Sequence, residues 1–221
     1  MTISRTEPEK IKYTDTTGIS PDYTEIMDKE YNWMAKIYDA FMLIFPVWKK
    51  WIKNVIPHIK GTRILEVSFG SGYLMTQYAA DKYEISGIDY NQKMLEMTTA
   101  KLKKRNIKAV LSQGNVESLP FADNTFDTVI NTMAFTGYPD GKKAMSELKR
   151  VLKDDGRLLI VDFDYPNNRN RLGCMIVKLW EKFGDIIKDI NSILTEQAFD
   201  YKDITVGGFG SVHLFIAHKK K

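Results

Sequence analysis

The chain is poor in the residues that build disulfide frameworks and metal sites. Its 221 residues include one cysteine, Cys174, and three scattered histidines, His58, His213 and His218. A single cysteine excludes an internal disulfide, and histidines without ligand spacing predict no metal site.

Long apolar runs are also missing. The longest, residues 40–48, contains Pro46 and falls far short of the roughly 20 residues that a membrane-spanning helix needs. The polar start, residues 1–17, lacks the apolar region of a secretion signal. We therefore expect a cytoplasmic protein without a transmembrane segment, whose contact with membranes is peripheral at most.

Charge of either sign is nearly balanced. Lysine and arginine number 32, aspartate and glutamate 28, and the net charge is +4. Much of the excess lies in residues 101–105 and 219–221, a pattern typical of solvated helix and tail charges. Nucleic acid is therefore not an expected partner, and the oligomeric state stays open.

The most informative stretch joins a short apolar strand to a glycine turn. Residues 63–67 read RILEV, with Glu66 near the strand end, and Gly70 and Gly72 follow. Glycine lets the backbone approach a ligand closely, and the next helix offers free N–H groups to the same crevice. A second strand ends in Asp89, about 20 residues on, where a ribose lies in nucleotide-binding βαβ units.

Two side chains favour one nucleotide class over another. The dinucleotide fingerprint needs a small residue three positions after its second glycine, and this chain has Met75 there. The carboxylate of Glu66 would repel a pyrophosphate and attract an ammonium group. S-adenosylmethionine carries an ammonium, a sulfonium and a ribose without phosphate, so the sequence favours it over NAD.

Four segments in order resemble the class I S-adenosylmethionine-dependent methyltransferases. The likeness is greatest to the branch with ubiquinone/menaquinone C-methyltransferases and bacterial phospholipid N-methyltransferases. The segments are residues 64–72, 87–89, 114–130 and 147–160. The resemblance implies methyl transfer from S-adenosylmethionine to a small-molecule or lipid-like acceptor.

The resemblance also implies a set of cofactor-binding residues. In it, Glu66 lies near the methionine ammonium, Asp89 binds the ribose and Asn115 adjoins the adenine. The full set is Glu66, Ser68, Gly70, Gly72, Asp89, Tyr90, Asn115, Val116 and Asn131.

Two positions depart from the family pattern. Ser68 stands where glycine is usual, and a left-handed backbone there would cost about 1–2 kcal/mol. Many members of the family have aspartate at the position of Asn115. Asparagine keeps an acceptor oxygen there but lacks the negative charge.

The residues that bind the methyl acceptor, here called the acceptor side of the site, are harder to predict from the sequence. Methyl transfer depends on alignment and exclusion of water more than on an acid or base, so no catalytic motif marks them. By resemblance, an N-terminal lid carries Tyr38 over the reacting methyl group, and the loops after the fourth and fifth strands add candidates. These candidates are Phe135, Tyr138, Asp162 and Asp164. The identity of the methylated atom stays open, and so does the choice between core face and lipid-binding surface for the predicted helix 175–197.

Strand and helix patterns alternate and predict an α/β, Rossmann-like, seven-stranded, mostly parallel sheet. Only Gly207 to Gly210 joins the last two strands, so these must form an antiparallel hairpin. We expect a flexible tail at 1–20, a helical lid at 21–57 and one core at 58–221. The predicted strands are 63–67, 84–89, 109–113, 128–132, 157–163, 203–206 and 212–218. The predicted helices are 22–45, 47–56, 73–80, 92–105, 141–152 and 175–197.

Two alternatives remain at this point. One is an NAD(P)-dependent oxidoreductase, which Met75 and the closing hairpin disfavour. The other is a cofactor-binding module without catalysis, in keeping with the lack of an obvious acid or base.

Overall fold

The computed structural model describes residues 46–182 and 186–221. The predicted tail, the helix at 22–45 and Tyr38 lie outside these residues. Within the described ranges, no helix has the length and apolar character of a membrane span.

Seven strands form one sheet in the order β3-β2-β1-β4-β5-β7-β6, and only β7 runs against the others. This architecture confirms the predicted mostly parallel sheet with a closing antiparallel hairpin. The strands are β1 (Arg63–Val67), β2 (Glu84–Asp89), β3 (Val110–Gln113), β4 (Phe126–Thr132), β5 (Leu152–Phe163), β6 (Phe199–Gly207) and β7 (Val212–Lys219).

Helices cover both faces of the sheet, because the connections between parallel strands cross over the sheet and are usually helical. They are α1 (Pro46–Ile52), α2 (Met75–Tyr78), α3 (Gln92–Lys104), α4 (Gly141–Val151), α5 (Arg171–Lys182) and α6 (Ile190–Glu196). Three 3-10 segments, Lys53–His58, Phe135–Gly137 and Gly208–Gly210, complete the described elements.

The core has two layers because neighbouring strand residues point to opposite faces. Leu65 and Val129 lie in one cluster with the inner face of α4, whereas Ile64 and Ile130 lie in the other with α2 and α5. The inner face of α4, which consists of Ala144, Met145, Leu148 and Val151, is fully buried.

The single helix predicted over 175–197 is wrong. The chain forms α5 and α6 separately, and residues 186–189 between them are not helical. Asp189 begins α6 anew, because its Oδ1 accepts a hydrogen bond from the Ser192 amide at 2.9 Å. Both helices bury apolar residues, but against different parts of the core. The helical spacing of apolar residues in the sequence therefore continues across the break and suggests one helix.

Smaller differences concern element boundaries. The fifth strand begins at Leu152 rather than residue 157, because Leu152 already pairs with Phe126 before a shift of register. The predicted helix at 47–56 is α1 followed by a 3-10 segment that contains Pro57. Neither difference moves the strand ends that carry the predicted site residues.

Candidate active site

The turn after β1 has the strained backbone expected of it. Ser68 has φ = +50°, the left-handed conformation that its place in the glycine pattern predicted. Its amide donates to the Ile88 carbonyl at 2.7 Å, which ties the turn to β2. Strain of this kind persists only where the surroundings fix it, and it is concentrated at functional sites.

Asp89 joins the two strand ends that the sequence singled out. Its Oδ2 accepts from the Gly70 amide at 2.8 Å, and its Oδ1 accepts from the Asn91 amide at 2.9 Å. The N-cap of α3 is Asn91, whose side chain accepts from the Met94 amide. Asn91 therefore caps α3, and the Asp89 carboxylate lies at the glycine turn.

Glu66 lies at the base of the same turn and is buried. The Tyr78 hydroxyl donates to its Oε2 at 3.0 Å. Burial, together with the charge of Asp89, raises the pKa of Glu66 to about 8, against the lowering effect of the Tyr78 hydrogen bond. At neutral pH the carboxyl is therefore largely protonated unless a cation lies beside it.

A buried hydrogen-bonded network connects the ends of β1 and β4. Ser68 Oγ and the Tyr138 hydroxyl lie 2.8 Å apart, and Asn131 Nδ2 donates to the same hydroxyl. Asn131 Oδ1 is the one buried side-chain polar atom within the described ranges that has no hydrogen-bond partner. Such an atom needs a donor, and a ligand ammonium or hydroxyl would supply one.

The remaining predicted cofactor residues lie on the loops beside Asp89. The Gly114 amide donates to the Asp89 carbonyl at 3.0 Å, which places the loop after β3 next to β2. Tyr90 is half exposed, Asn115 is exposed and Val116 is buried. Asn115 Oδ1 accepts from the Glu117 amide at 2.9 Å, so this side chain shapes the loop in addition to its predicted role.

Two residues that hold the glycine turn were missed by the sequence analysis. Thr98 Oγ1 donates to the Gly70 carbonyl at 2.8 Å, and Lys101 Nζ donates to the Ser71 carbonyl at 2.7 Å. A Cβ on Gly72 would come within 2.4 Å of the Thr98 methyl, so contact with α3 alone requires glycine at this position. The only signal in the sequence was a pair of polar residues three apart, on the helical face of the buried Met94.

On the acceptor side, Asp162 holds a turn together. It is buried, and its carboxylate accepts from the amides of Phe135 at 2.6 Å and Phe163 at 2.7 Å, and from Thr136. Phe135 is fully buried as well. Asp164 accepts from the Tyr165 amide at 2.6 Å. These bonds fix the ends of β4 and β5 relative to each other.

The arrangement fits S-adenosylmethionine better than a dinucleotide. Met75 is fully buried, and it fits because Gly87 on β2 lacks a side chain: a Cβ there would lie 2.6 Å from the Met75 Cε. The strand ends carry the Asp89 carboxylate, which repels phosphate and attracts hydroxyls, and the Glu66 carboxyl, which ionises when a cation such as an ammonium lies beside it. They also carry the Asn131 amide oxygen, which has no hydrogen-bond partner among the described residues. Glu66, Asp89 and Asn131 could hold the cofactor.

Sequence comparison gives the same result. The profile of a family described as a methyltransferase domain matches residues 65–160. A demethylmenaquinone methyltransferase from Lactobacillus johnsonii is 26% identical over 211 residues, which cover 91% of this chain and 79% of that protein. A ubiquinone/menaquinone biosynthesis C-methyltransferase from Shewanella oneidensis is 32% identical over 154 residues, covering 66% of this chain and 61% of the relative.

Solved structures share the fold. A SAM-dependent methyltransferase from Aquifex aeolicus superimposes with a TM-score of 0.61 at 19% identity, covering 78% of this chain and 92% of that one. A geranyl diphosphate C-methyltransferase from Streptomyces coelicolor, in complex with S-adenosyl-L-homocysteine, gives 0.65 at 13% identity, covering 77% and 79%. None of these comparisons supports the oxidoreductase or the non-catalytic alternative.

Fold, crevice chemistry and sequence relatives agree on one cofactor, S-adenosylmethionine, and one reaction, methyl transfer. The chain is similar to the class I S-adenosylmethionine-dependent methyltransferases and, among them, to the ubiquinone/menaquinone C-methyltransferases.

Proposed function

We propose that the methyl acceptor is a quinol-type aromatic molecule with a lipid-like tail, methylated on a ring carbon. The proposal is supported first by the names of two relatives, a demethylmenaquinone methyltransferase and a ubiquinone/menaquinone C-methyltransferase. The observation that carries it within this chain is a cluster of aromatic rings at the ends of β4 and β5, where backbone and hydroxyl donors already engage the Asp162 carboxylate.

Aromatic side chains are concentrated where β4 and β5 end. The rings of Phe135 and Tyr138 lie 5.6 Å apart after β4. Phe163, the last residue of β5, lies 5.1 Å from Trp180 and 6.0 Å from Trp48. Phe135, Tyr138 and Phe163 are buried, whereas Trp48 and Trp180 are only partly buried, and partly exposed aromatic faces suit a flat apolar ring.

The bonds of Asp162 argue for an acceptor that is itself a nucleophile. Its carboxylate accepts three backbone or hydroxyl donors around the turn at Phe135–Gly137, which suits an anchor more than a general base. An electron-rich quinol attacks through its own ring carbon: the new C–C bond forms as the methyl–sulfur bond breaks, S-adenosylhomocysteine leaves, and the ring carbon then releases its proton to water. The protein has to align the ring and exclude water from the attack itself. A protonated amine would instead have to lose its proton to a base before it could attack.

In this proposal the polar groups of the crevice hold the cofactor. When bound, S-adenosylmethionine supplies an electrophilic methyl group on a sulfonium. Asp89 would accept the ribose hydroxyls, while Glu66 and the Asn131 amide oxygen would face the amino-acid end. The loop residues Tyr90, Asn115 and Val116 would line the adenine, and the turn of Ser68, Gly70 and Gly72 would support the sulfonium side.

A panel of acceptors tests this proposal. The purified chain would be incubated with methyl-labelled S-adenosylmethionine and, in separate reactions, a short-chain naphthoquinol, a benzoquinol, a primary amine and phosphatidylethanolamine. We expect labelled carbon on a quinol and no transfer to the amine. Transfer to the amine or phospholipid without transfer to any quinol would contradict the quinol proposal and leave the methyltransferase assignment intact.

Two further predictions belong with this proposal. Tyr38 is expected to close over the reacting methyl group, and it lies outside the described residues. The cytoplasmic location expected from the sequence also stays a prediction, which fractionation of cells that produce the tagged chain would check.

A further inference from the structure

Helix α5 carries an apolar strip on its outer side. Leu172, Met175 and Leu179 are exposed by 53%, 61% and 52%. They are three and four residues apart, which places them within about 60° of one another around the helix. Large apolar side chains that are exposed in a row need a reason beyond folding.

Within residues 46–182 and 186–221, the core clusters do not include this strip. The inner side of α5 is formed by Gly173 and Val177, which are buried, and by Trp180, which contacts Phe163. These residues lie roughly 100° or more from the centre of the outer strip. The apolar arc of the helix is therefore wider than its contact with the core requires.

A basic strip lies directly beside the apolar one. Arg171, Lys178 and Lys182 are exposed and fall within about 40° of one another, next to the side of Met175. The acidic residue on α5, Glu181, lies farther round and accepts a hydrogen bond from the Tyr165 hydroxyl. Together the six exposed residues form what we call the α5 surface: Arg171, Leu172, Met175, Lys178, Leu179 and Lys182.

The turn between β6 and β7 packs on the inner side of α5, at the N-terminal end of the helix, and exposes a further aromatic ring. Phe209 is 67% exposed and has φ = +53°, an unfavourable backbone conformation for a bulky residue. Its carbonyl accepts from Asn170 Nδ2 at 2.7 Å, and a Cβ on Gly173 would come within 2.6 Å of that carbonyl oxygen. The turn therefore lies against the first turn of α5, and it exposes an aromatic ring at a backbone position where strain disfavours one.

We propose that the α5 surface binds the interface of an anionic lipid bilayer. An apolar strip that can enter the acyl boundary, bordered by cations that can meet anionic headgroups, is the pattern of helices that lie in a membrane interface. This charge complementarity favours an anionic membrane over a second copy of the chain, whose α5 surface would bring like charges together. Because α5 follows β5, the bound membrane would lie beside the acceptor end of the crevice.

Vesicle co-sedimentation of the full chain tests the proposal without any methyl acceptor, so its failure is distinct from failure of the quinol proposal. Vesicles of phosphatidylcholine with and without phosphatidylglycerol are compared. We expect binding to the anionic vesicles that weakens with salt. Changing Leu172, Met175 and Leu179 together to Gln should weaken it about tenfold or more, and changing Arg171, Lys178 and Lys182 to Gln about fivefold per charge.

Matched variants sit at the other edge of the sheet. Val110→Thr alters an even more exposed apolar residue, and a triple Gln change at Lys103, Lys104 and Lys108 removes the same charge from exposed positions. Both should bind vesicles as the unchanged chain does, and all variants should bind S-adenosylhomocysteine equally, which verifies folding.

Several outcomes would overturn the proposal. They are an unchanged chain that sediments with neither vesicle, binding that the α5 variants do not weaken, and weakening that is equal in the matched variants. A fall in mass by light scattering on changing the apolar strip would show a second copy there. Faster proteolysis within residues 1–45 of that variant would show that the chain's own N-terminal segment covers the surface.

Discussion

Glu66 is a carboxyl whose environment changes its charge at neutral pH. Burial raises its pKa to about 8 from an ordinary value of 4.5, so between these values the folded chain holds a proton that the unfolded chain has lost. Stability therefore falls as the pH rises through this window, by at most about 1.4 kcal/mol per pH unit.

We predict that Glu66→Gln gains stability relative to the unchanged chain as the pH rises from 5 to 8. Glutamine keeps the shape and cannot ionise, so the loss described above disappears. Urea unfolding of both proteins across this range measures the difference, and the exposed Glu96→Gln serves as control. Parallel curves for Glu66→Gln and the unchanged chain would show that Glu66 is ionised in the folded state.

Thr98 is a positioning residue for the glycine turn. Thr98→Val keeps the methyl contact with Gly72 and removes the hydrogen bond to the Gly70 carbonyl. We expect S-adenosylhomocysteine to bind about 3- to 30-fold more weakly, with little change in KM for the methyl acceptor. Calorimetric titration measures the affinity. Thr99→Val is the matched change, because that hydroxyl donates within its own helix, and equal affinities for the two variants would refute the role.

For individual residues, the sequence predicted the features that depend on a local motif and missed those that depend on contacts between distant parts of the chain. The left-handed backbone of Ser68 follows from its place in a glycine motif, and Asp89 follows from its place at a strand end. Thr98 and Lys101 act on the turn across a distance of almost 30 residues in the chain. Nothing in their own sequence neighbourhood marks such a contact.

Among the elements, the β6–β7 hairpin contains a buried ion pair. His213 Nδ1 lies 2.7 Å from Asp203 Oδ1, and its Nε2 lies 2.9 Å from the Gly210 carbonyl. Burial alone would lower the pKa of His213, but the hydrogen bond and charge of Asp203, with the charge of Asp164 and the Gly210 carbonyl, outweigh it and raise the pKa. Both ring nitrogens face acceptors, which suits the protonated ring.

Asp203→Asn should therefore destabilise the chain more at pH 6 than at pH 9, by roughly 1–3 kcal/mol at the lower value. A raised histidine pKa contributes stability below pH 6.5 that is lost as the pH rises through the folded value. Urea unfolding at the two pH values measures this. Asp200→Asn changes an exposed pair with His218 on the same hairpin and should have little effect at either pH. A pH-independent cost for Asp203→Asn would contradict a protonated His213.

The elements themselves were predicted to different degrees. The closing hairpin followed from a connection too short for a crossover helix, and the structure confirms it. The helix expected over 175–197 failed because apolar spacing cannot reveal that Ile190 and Leu194 face another part of the core than Val177 does. One residue at the break does indicate a new helix, because Asp189 is a typical N-cap and caps α6. The prediction gave more weight to the helical spacing of the apolar residues.

For the whole molecule, the parallel strand order brings the ends of β1, β2 and β4 to one edge, so residues distant in sequence form one crevice. The sequence predicted this convergence because each strand end carried a polar or glycine residue. It could not predict the acceptor side, whose aromatic contacts depend on how α1 and α5 pack over β5.

Asp89 links the two strand ends most directly, so its removal should weaken cofactor binding. We expect Asp89→Ala to lower the affinity for S-adenosylhomocysteine about 10- to 100-fold, since charge-assisted bonds to the ribose are lost. Calorimetric titration measures this, with the exposed Asp81→Ala as the matched control and circular dichroism to verify folding. An unchanged affinity would remove Asp89 from the site.

The central claim is that the crevice at the first two strand ends accepts an adenosyl sulfonium and rejects a pyrophosphate. Calorimetry of the unchanged chain with S-adenosylhomocysteine and with NADH tests it most directly. We predict saturable binding of S-adenosylhomocysteine and no measurable heat from NADH beyond dilution. Binding of NADH by a chain that ignores S-adenosylhomocysteine would contradict it.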